Sequence, residues 1–153
     1  MIYREDKDRG FSLVEVTLAL GVAGFCLIAV FGLLPIGVQT NQRAISQTAG
    51  TSILSNVIAD MRATPKTSPA STQYGIALST SSTTTLYFDG QGQFATSRGA
   101  NSRYRLTVTI PPNPAGANAA TFAYLRITWP AAVDPVSGTP RGTSEMFAAF
   151  TRN

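Results

Sequence analysis

The N-terminal part of the chain contains the segment Arg9-Gly10-Phe11-Ser12-Leu13-Val14-Glu15. Apolar sequence continues from there to Val38, and the rest of the fold follows this run. No residue between 16 and 38 is charged. A helix over this run would be about 35 Å long, enough to cross a hydrocarbon core of about 30 Å. Glu15 lies just inside the run, where a carboxylate costs roughly 2.5 to 3.5 kcal/mol at a helix centre, so it calls for a functional partner.

The charges around the apolar run predict its orientation in a membrane. Arg4, Lys7 and Arg9 precede it, whereas Arg43 is the only early positive charge after it. The N-terminus should therefore stay cytoplasmic and the C-terminal part should be exported. The run is longer than the apolar region of a secretory signal peptide and no clear cleavage site follows it, so a membrane anchor is favoured.

Composition argues against an enzyme. Only 13% of the 153 residues are charged, and the chain contains no histidine. Imidazole metal sites and nucleophiles paired with histidine are therefore excluded, and we expect no cofactor, metal or small-molecule substrate. Cys26 is the single cysteine, so no intrachain disulfide can form. It is expected to be a small apolar residue in lipid.

The segment Gly10-Phe11-Ser12-Leu13-Val14-Glu15-Val16 resembles the prepilin-type cleavage and methylation motif of type IV pilins and type II secretion pseudopilins. The resemblance implies that a membrane aspartyl peptidase cuts between Gly10 and Phe11 and that Phe11 is then N-methylated. Glu15 occupies the position of the glutamate that this family keeps as its fifth mature residue. More narrowly, residues 11–63 resemble the pilin-like Verru_Chthon cassette protein B family, which implies no activity for this chain.

Three positions in this segment have a physical rationale. Gly10 has no side chain, so a peptidase can approach its backbone closely. Glu15 lies one turn beyond a free amine at Phe11 and can pair with the amine of a neighbouring subunit, so that a lone charge becomes a paired one on assembly. Pro35 removes a hydrogen bond to the Phe31 carbonyl and should kink or locally open the helix.

Helical spacing continues beyond the apolar run. Apolar residues recur every four positions and predict an amphipathic helix that packs on a folded domain: Ile45, Ala49, Ile53, Val57 and Met61, with Leu54 and Ile58 beside them. Gly50 should weaken it by about 1 kcal/mol relative to alanine. Thr64-Pro65 ends the helix, because the residue before proline avoids helical geometry.

The rest of the chain predicts short strands at 84–88, 93–96, 103–110, 122–129 and 144–151. Asp89-Gly90-Gln91-Gly92 reads as a hairpin turn rather than a calcium loop. The hydroxyl run 79–85 is expected to be a loop leading into an edge strand, and 111–120 and 130–142 are expected to be loops. One long helix followed by strands gives an α+β fold with the helix on one face of a small antiparallel sheet, a pilin-like arrangement.

Two sets of polar side chains in the exported part are candidates for a chemical or binding role. The acids of the exported part, Asp60, Asp89, Asp134 and Glu145, are isolated in sequence and are expected to be solvated surface carboxylates. A second set, Arg98, Arg103, Tyr104 and Arg105, could form a basic and aromatic patch for single-stranded DNA. Solvation of the arginines on the outer face of a strand is favoured over DNA contact.

Four segments follow from these patterns and from the resemblance: a prepilin leader at 1–10, a transmembrane and assembly helix at 11–38, its amphipathic continuation at 39–64 and an exported β-rich domain at 65–153.

The favoured function is a non-enzymatic prepilin-like subunit of a type IV pilus or type II secretion pseudopilus, as a minor component. Its expected partners are a prepilin peptidase, other pilin or pseudopilin subunits and the inner membrane, with the C-terminal domain in the periplasm or, in a filament, outside the cell. The alternatives are a single-pass membrane-anchored interaction protein that does not polymerise, and a DNA-binding competence pilin.

Overall fold

The computed structural model describes residues 10–79, 81–112 and 120–152. Within them the chain forms one helix and five strands: α1 Leu13–Ala63, β1 Ser82–Phe88, β2 Phe94–Ala95, β3 Tyr104–Ile110, β4 Thr121–Trp129 and β5 Gly142–Phe150. The strands form one antiparallel sheet in the order β2-β1-β3-β4-β5. The α+β class predicted from the sequence is confirmed. The leader residues 1–9 and most of the loop 111–120 lie outside the described residues.

The ends of α1 follow the local sequence. The helix stops at Ala63, where Thr64 precedes Pro65, and the Thr64 hydroxyl donates a 2.8 Å hydrogen bond to the Asp60 carbonyl. Pro35 lies inside the helix, and residues 31–39 are all helical. The kink or local opening expected at Pro35 stays a prediction.

The chain divides into two compact units, Met1–Gln42 and Arg43–Asn153. In the second unit, the later part of α1 covers one face of the sheet. Its buried residues recur at helical spacing: Ser46, Gly50, Ile53, Leu54, Val57, Ile58 and Met61. They share a core with the inward side chains of the strands, such as Leu106, Leu125 and Ile127.

The apolar stripe predicted for this helix is wrong at its first position. Ile45 is 54% exposed, and Ser46 is buried in its place. A helix turns about 100° per residue, so a row taken strictly every fourth residue drifts around the axis. Ile45 consequently lies about 160° around the helix from Met61.

The strand alternation is confirmed. Tyr104, Leu106, Val108 and Ile110 are buried, whereas the residues between them are only half-buried. β1 begins at Ser82, slightly before the predicted start at 84, so part of the hydroxyl run belongs to the strand. Because β2 pairs only with Tyr87 and Phe88, the beginning of β1 is an open edge, as expected.

The four acids of the second unit are not buried, as expected, and the Asp134 and Glu145 side chains are 41% and 45% exposed. They are not isolated, however. Each acid of the second unit has partners in its own chain because the fold brings distant donors to it. Asp60 accepts the Gln73 and Tyr74 backbone N–H groups, Asp89 accepts those of Gln91 and Gln93, Asp134 pairs with Arg105, and Glu145 pairs with Arg126. The Asp89 contacts close the predicted hairpin turn between β1 and β2.

Candidate functional site

The predicted cleavage bond precedes the helix. Gly10, Phe11 and Ser12 lie outside α1, and all three are exposed. The Phe11 side chain is 87% exposed. A peptidase that reads an extended backbone would find this bond free of helical hydrogen bonds within the described residues.

Ser12 and Glu15 form a capping box at the start of α1. The Ser12 backbone N–H donates to Glu15 Oε2 at 2.9 Å, and the Glu15 backbone N–H donates to Ser12 Oγ at 3.4 Å. The first helical bond also begins here, because the Val16 N–H donates to the Ser12 carbonyl at 3.2 Å. A carboxylate in the first turn is further favoured by the helix dipole.

From the sequence, Glu15 is expected to be a lone carboxylate, and no role is predicted for Ser12. The structure supplies Glu15 with a donor in its own chain. The signal that identifies this pair is Ser-x-x-Glu ahead of an apolar run, a recognised helix-start pattern. Among the described residues only one of the two carboxylate oxygens accepts a hydrogen bond, so the other is open to a further donor.

Gly10 is not required by packing within the chain. No described atom lies within 4 Å of the place that a β-carbon would occupy. A larger residue would therefore fit this chain equally well. Packing against the described residues therefore does not explain a glycine at this position.

The first unit presents its apolar side chains to the surroundings. Every large apolar residue that is described from Phe11 to Val38 is exposed, including Phe25 at 74% and Ile28 at 74%. By length and composition α1 is able to cross a membrane, and no part of its apolar window is buried by the described residues. Packing inside the protein therefore does not account for these side chains. Cys26 is exposed among them, as is the segment around Pro35.

The four residues considered for DNA binding do not combine basic groups with an exposed aromatic ring. The Tyr104 ring is buried, so it cannot stack on a base. Arg103 donates to Ser46 Oγ at 3.0 Å on the helix side of the sheet, whereas Arg105 pairs with Asp134 at 2.9 Å. Arg98 donates to the Ala132 carbonyl at 3.4 Å. The stacking role considered for Tyr104 is therefore wrong, whereas DNA contact through the arginines stays a prediction.

The outer face of the sheet carries its own polar and aromatic groups. Glu145 on β5 lies 3.5 Å from Arg126 Nε on β4. Partial burial, and then a hydrogen bond to Glu145, raises the pKa of the Tyr124 hydroxyl. The Tyr124 and Phe147 rings lie 4.7 Å apart between centroids. Phe147 is itself 80% exposed.

No protein-family model, curated protein or solved structure matches this chain. The described residues also contain no group of three or more cysteines and acids that could hold a metal ion. The N-terminal segment and the exposed surfaces of each unit are therefore the features that bear on function.

Proposed function

We propose that this protein is a non-enzymatic prepilin-like subunit, cut between Gly10 and Phe11 and methylated at Phe11. It assembles through its N-terminal helix into a type IV pilus or a type II secretion pseudopilus as a minor component. The observation that carries the proposal is the first part of α1, whose large apolar side chains are exposed from Leu13 to Val38 and whose first turn contains Glu15. It follows immediately after an exposed Gly10-Phe11 bond.

An apolar helix of this kind needs an apolar surrounding. A helix that is hydrophobic all round is stable when lipid or other helices cover it. A membrane covers the segment before assembly, and neighbouring helices would cover it afterwards. By the positive-inside rule, the basic residues ahead of the helix favour a cytoplasmic N-terminus and a periplasmic second unit. A long apolar N-terminal helix together with an antiparallel sheet is consistent with pilin-like architecture.

The Glu15 carboxylate would fix the stagger between adjacent helices in the assembly. Glu15 already accepts one backbone N–H from Ser12, which lowers the cost of placing it near lipid. Its second oxygen remains for the charged amine that cleavage would create on a neighbouring Phe11. Pairing of the two charges is favourable only when both reach the same depth, so it selects one stagger between adjacent helices.

Mass spectrometry of the membrane-bound protein tests the processing step. The protein is expressed with and without a prepilin peptidase, and the N-terminal peptide is sequenced. We expect a methylated N-terminus at Phe11 only when the peptidase is present. Retention of Met1 to Gly10 in its presence would overturn the proposal and favour a single-pass anchored interaction protein.

A Gly10→Ala variant is the matched control for that experiment. The structure has room for the added methyl group, so folding and insertion should be unchanged. Cleavage should fall strongly, because the peptidase, not the chain, needs the glycine. Equal cleavage of both proteins would show that the cut does not depend on this position.

A further inference from the structure

Strand β5 ends the sheet with one side unpaired. It is bonded to β4 over its full length, from the pair Thr121 and Phe150 to the pair Trp129 and Gly142. No other strand adjoins it among the described residues. Its outward N–H and C=O groups have no backbone partner within the described part of the chain. Such an edge is complementary to one kind of partner, an extended polypeptide strand.

The β5 edge lacks the usual protection against pairing. Soluble proteins block exposed edges with proline, lysine, bulges or very short strands. Gly142–Phe150 contains no proline and no basic residue. Its one charge, Glu145, is offset by Arg126 across the sheet. The edge is therefore close to neutral, and a second edge can approach it without strong repulsion.

An apolar hollow adjoins this edge on the outer face of the sheet. It measures about 300 Å³ and is lined mainly by apolar side chains of β4 and β5, including Phe122, Tyr124, Phe147 and Ala149. Phe147 is 80% exposed and Phe122 is 55% exposed. A strand added to the edge would place its own alternate side chains beside this hollow.

We propose that β5 pairs with β5 of a second copy of this chain, antiparallel about a twofold axis, with the two Phe147 residues opposite each other. A second copy supplies a strand for the open edge and, at its centre, an exposed Phe147 ring that packs on the Phe147 ring at the rim of the hollow. An isologous contact of this kind satisfies both edges at once and closes on itself.

The charges select this register. With Phe147 opposite its counterpart, Glu145 faces Ala149 of the other copy. The two Glu145 residues are then offset by about 13 Å along the strands, more than the Debye length of about 8 Å at physiological ionic strength. A register centred on Glu145 would instead place two carboxylates directly opposite each other, which is destabilising.

Single-cysteine crosslinking of the full chain in detergent micelles tests the contact. Cys26 is first changed to serine, and Phe147→Cys is then compared with Thr143→Cys and Ala149→Cys, which lie on the same exposed face of β5. Mild oxidation should yield a disulfide-linked dimer only for Phe147→Cys. Similar crosslinking at all three positions, or none at 147, would overturn the register.

A charged substitution then separates this edge from contacts made by the N-terminal helix. Phe147→Lys should raise the dimer dissociation constant by about tenfold or more, measured by sedimentation in detergent. Val136→Lys is the matched control, because Val136 is 91% exposed and lies outside the strands. Equal dimerisation of Phe147→Lys and wild type would refute the edge pairing.

The prepilin proposal is tested separately. Glu15→Gln should leave the β5 dimer unchanged, since the edge pairing does not rest on processing or filament assembly. Fluorescence of Trp129, the one tryptophan of the chain, reports that each variant remains folded.

Discussion

At the scale of single residues, Gly142 is a position with no room for a side chain. It lies opposite Trp129 in the sheet, and a β-carbon there would overlap the indole ring. The ring also packs edge-on to Tyr104, with centroids 6.1 Å apart, so it cannot move aside freely. We expect Gly142→Ala to lower the free energy of unfolding by about 1 to 3 kcal/mol, measured by urea titration with Trp129 fluorescence.

Gly99→Ala provides the comparison for this prediction. The nearest atom to the added methyl group would be Ser102 Oγ at 3.9 Å, an ordinary contact. The free energy of unfolding should therefore change little. A similar loss in both variants would mean that overlap with Trp129 is not the cause.

The lowered pKa of Asp134 predicts how the free energy of unfolding depends on pH. The backbone N–H of Val136 and then the Arg105 guanidinium hold the pKa of this carboxyl below its ordinary value. A lowered pKa in the folded state stabilises the protein above the unfolded pKa of about 3.9, and this contribution is lost as pH falls through the folded value. Asp134→Asn should therefore be less stable than wild type at pH 7.

The difference between wild type and Asp134→Asn should shrink as the pH falls below about 4, because the native carboxyl then becomes neutral as well. Urea titrations at several pH values measure it. A constant difference from pH 7 to pH 3 would contradict the assigned cause.

The partners of Asp134 show where residue-level inference from the sequence stops. Alternation in β3 correctly places Arg105 on the outer face of the sheet. Asp134 belongs to a later loop, and no local pattern indicates that this loop returns to β3. Asp134 is partly exposed, as the sequence predicts, but its pairing with Arg105 depends on tertiary structure and cannot be predicted from a local pattern.

At the scale of the elements, Gly50 lies where α1 passes over β4. A β-carbon there would lie 3.4 Å from Trp129 Cζ3 and 3.5 Å from Ile127 Cγ2, both ordinary contacts. Gly50→Ala should therefore keep the packing and stabilise the helix, by up to about 1 kcal/mol. Thermal unfolding of the full chain in detergent measures the gain.

Gly50→Leu marks the limit of this effect. The larger side chain would press on the same two residues, and overpacking should destabilise the second unit by about 1 to 3 kcal/mol. If Gly50→Ala also destabilised, the space between helix and sheet would be smaller than the structure indicates. Gly50 and Gly142 share Trp129, so effects of changing both should not add.

Periodicity predicts the elements of this protein well but not the details of their packing. The alternating pattern places β3 and β4 within about two residues, because one face of each strand is buried. The apolar row from Ile45 to Met61 correctly predicts the amphipathic helix. It wrongly predicts that Ile45 is buried, because a helix has 3.6 residues per turn and a row of every fourth residue drifts around its axis. The capping role of Ser12, in contrast, is readable from the sequence, because Ser-x-x-Glu ahead of an apolar run is a local pattern.

At the scale of the whole molecule, the order of patterns along the chain predicts the fold class, because an apolar run, a helical stripe and alternating strands have few compact arrangements. The same patterns do not predict the order of the strands in the sheet. Alternation identifies which face of a strand is buried but not which strand lies at an edge. The open edge of β5 and the exposed Phe147 beside it are consequently visible only in the structure.

Incorporation into filaments should depend on the charge of Glu15. A substitution at this position can remove the charge and still leave the helix cap in place. Glutamine can still accept the Ser12 N–H in a capping box, but it carries no charge. Glu15→Gln should therefore insert and be cleaved like wild type, yet its incorporation into filaments should fall about tenfold or more, equivalent to about 1.4 kcal/mol. Sheared filaments and membranes are compared by quantitative mass spectrometry.

Ser12→Ala is the complementary variant. It removes the hydroxyl that accepts the Glu15 N–H and should weaken the helix start by about 0.5 to 2 kcal/mol, while the carboxylate and its charge remain. Incorporation should consequently stay near the wild-type level. If Glu15→Gln assembled normally while Ser12→Ala did not, Glu15 would act through the helix start alone, and charge pairing between subunits would be wrong.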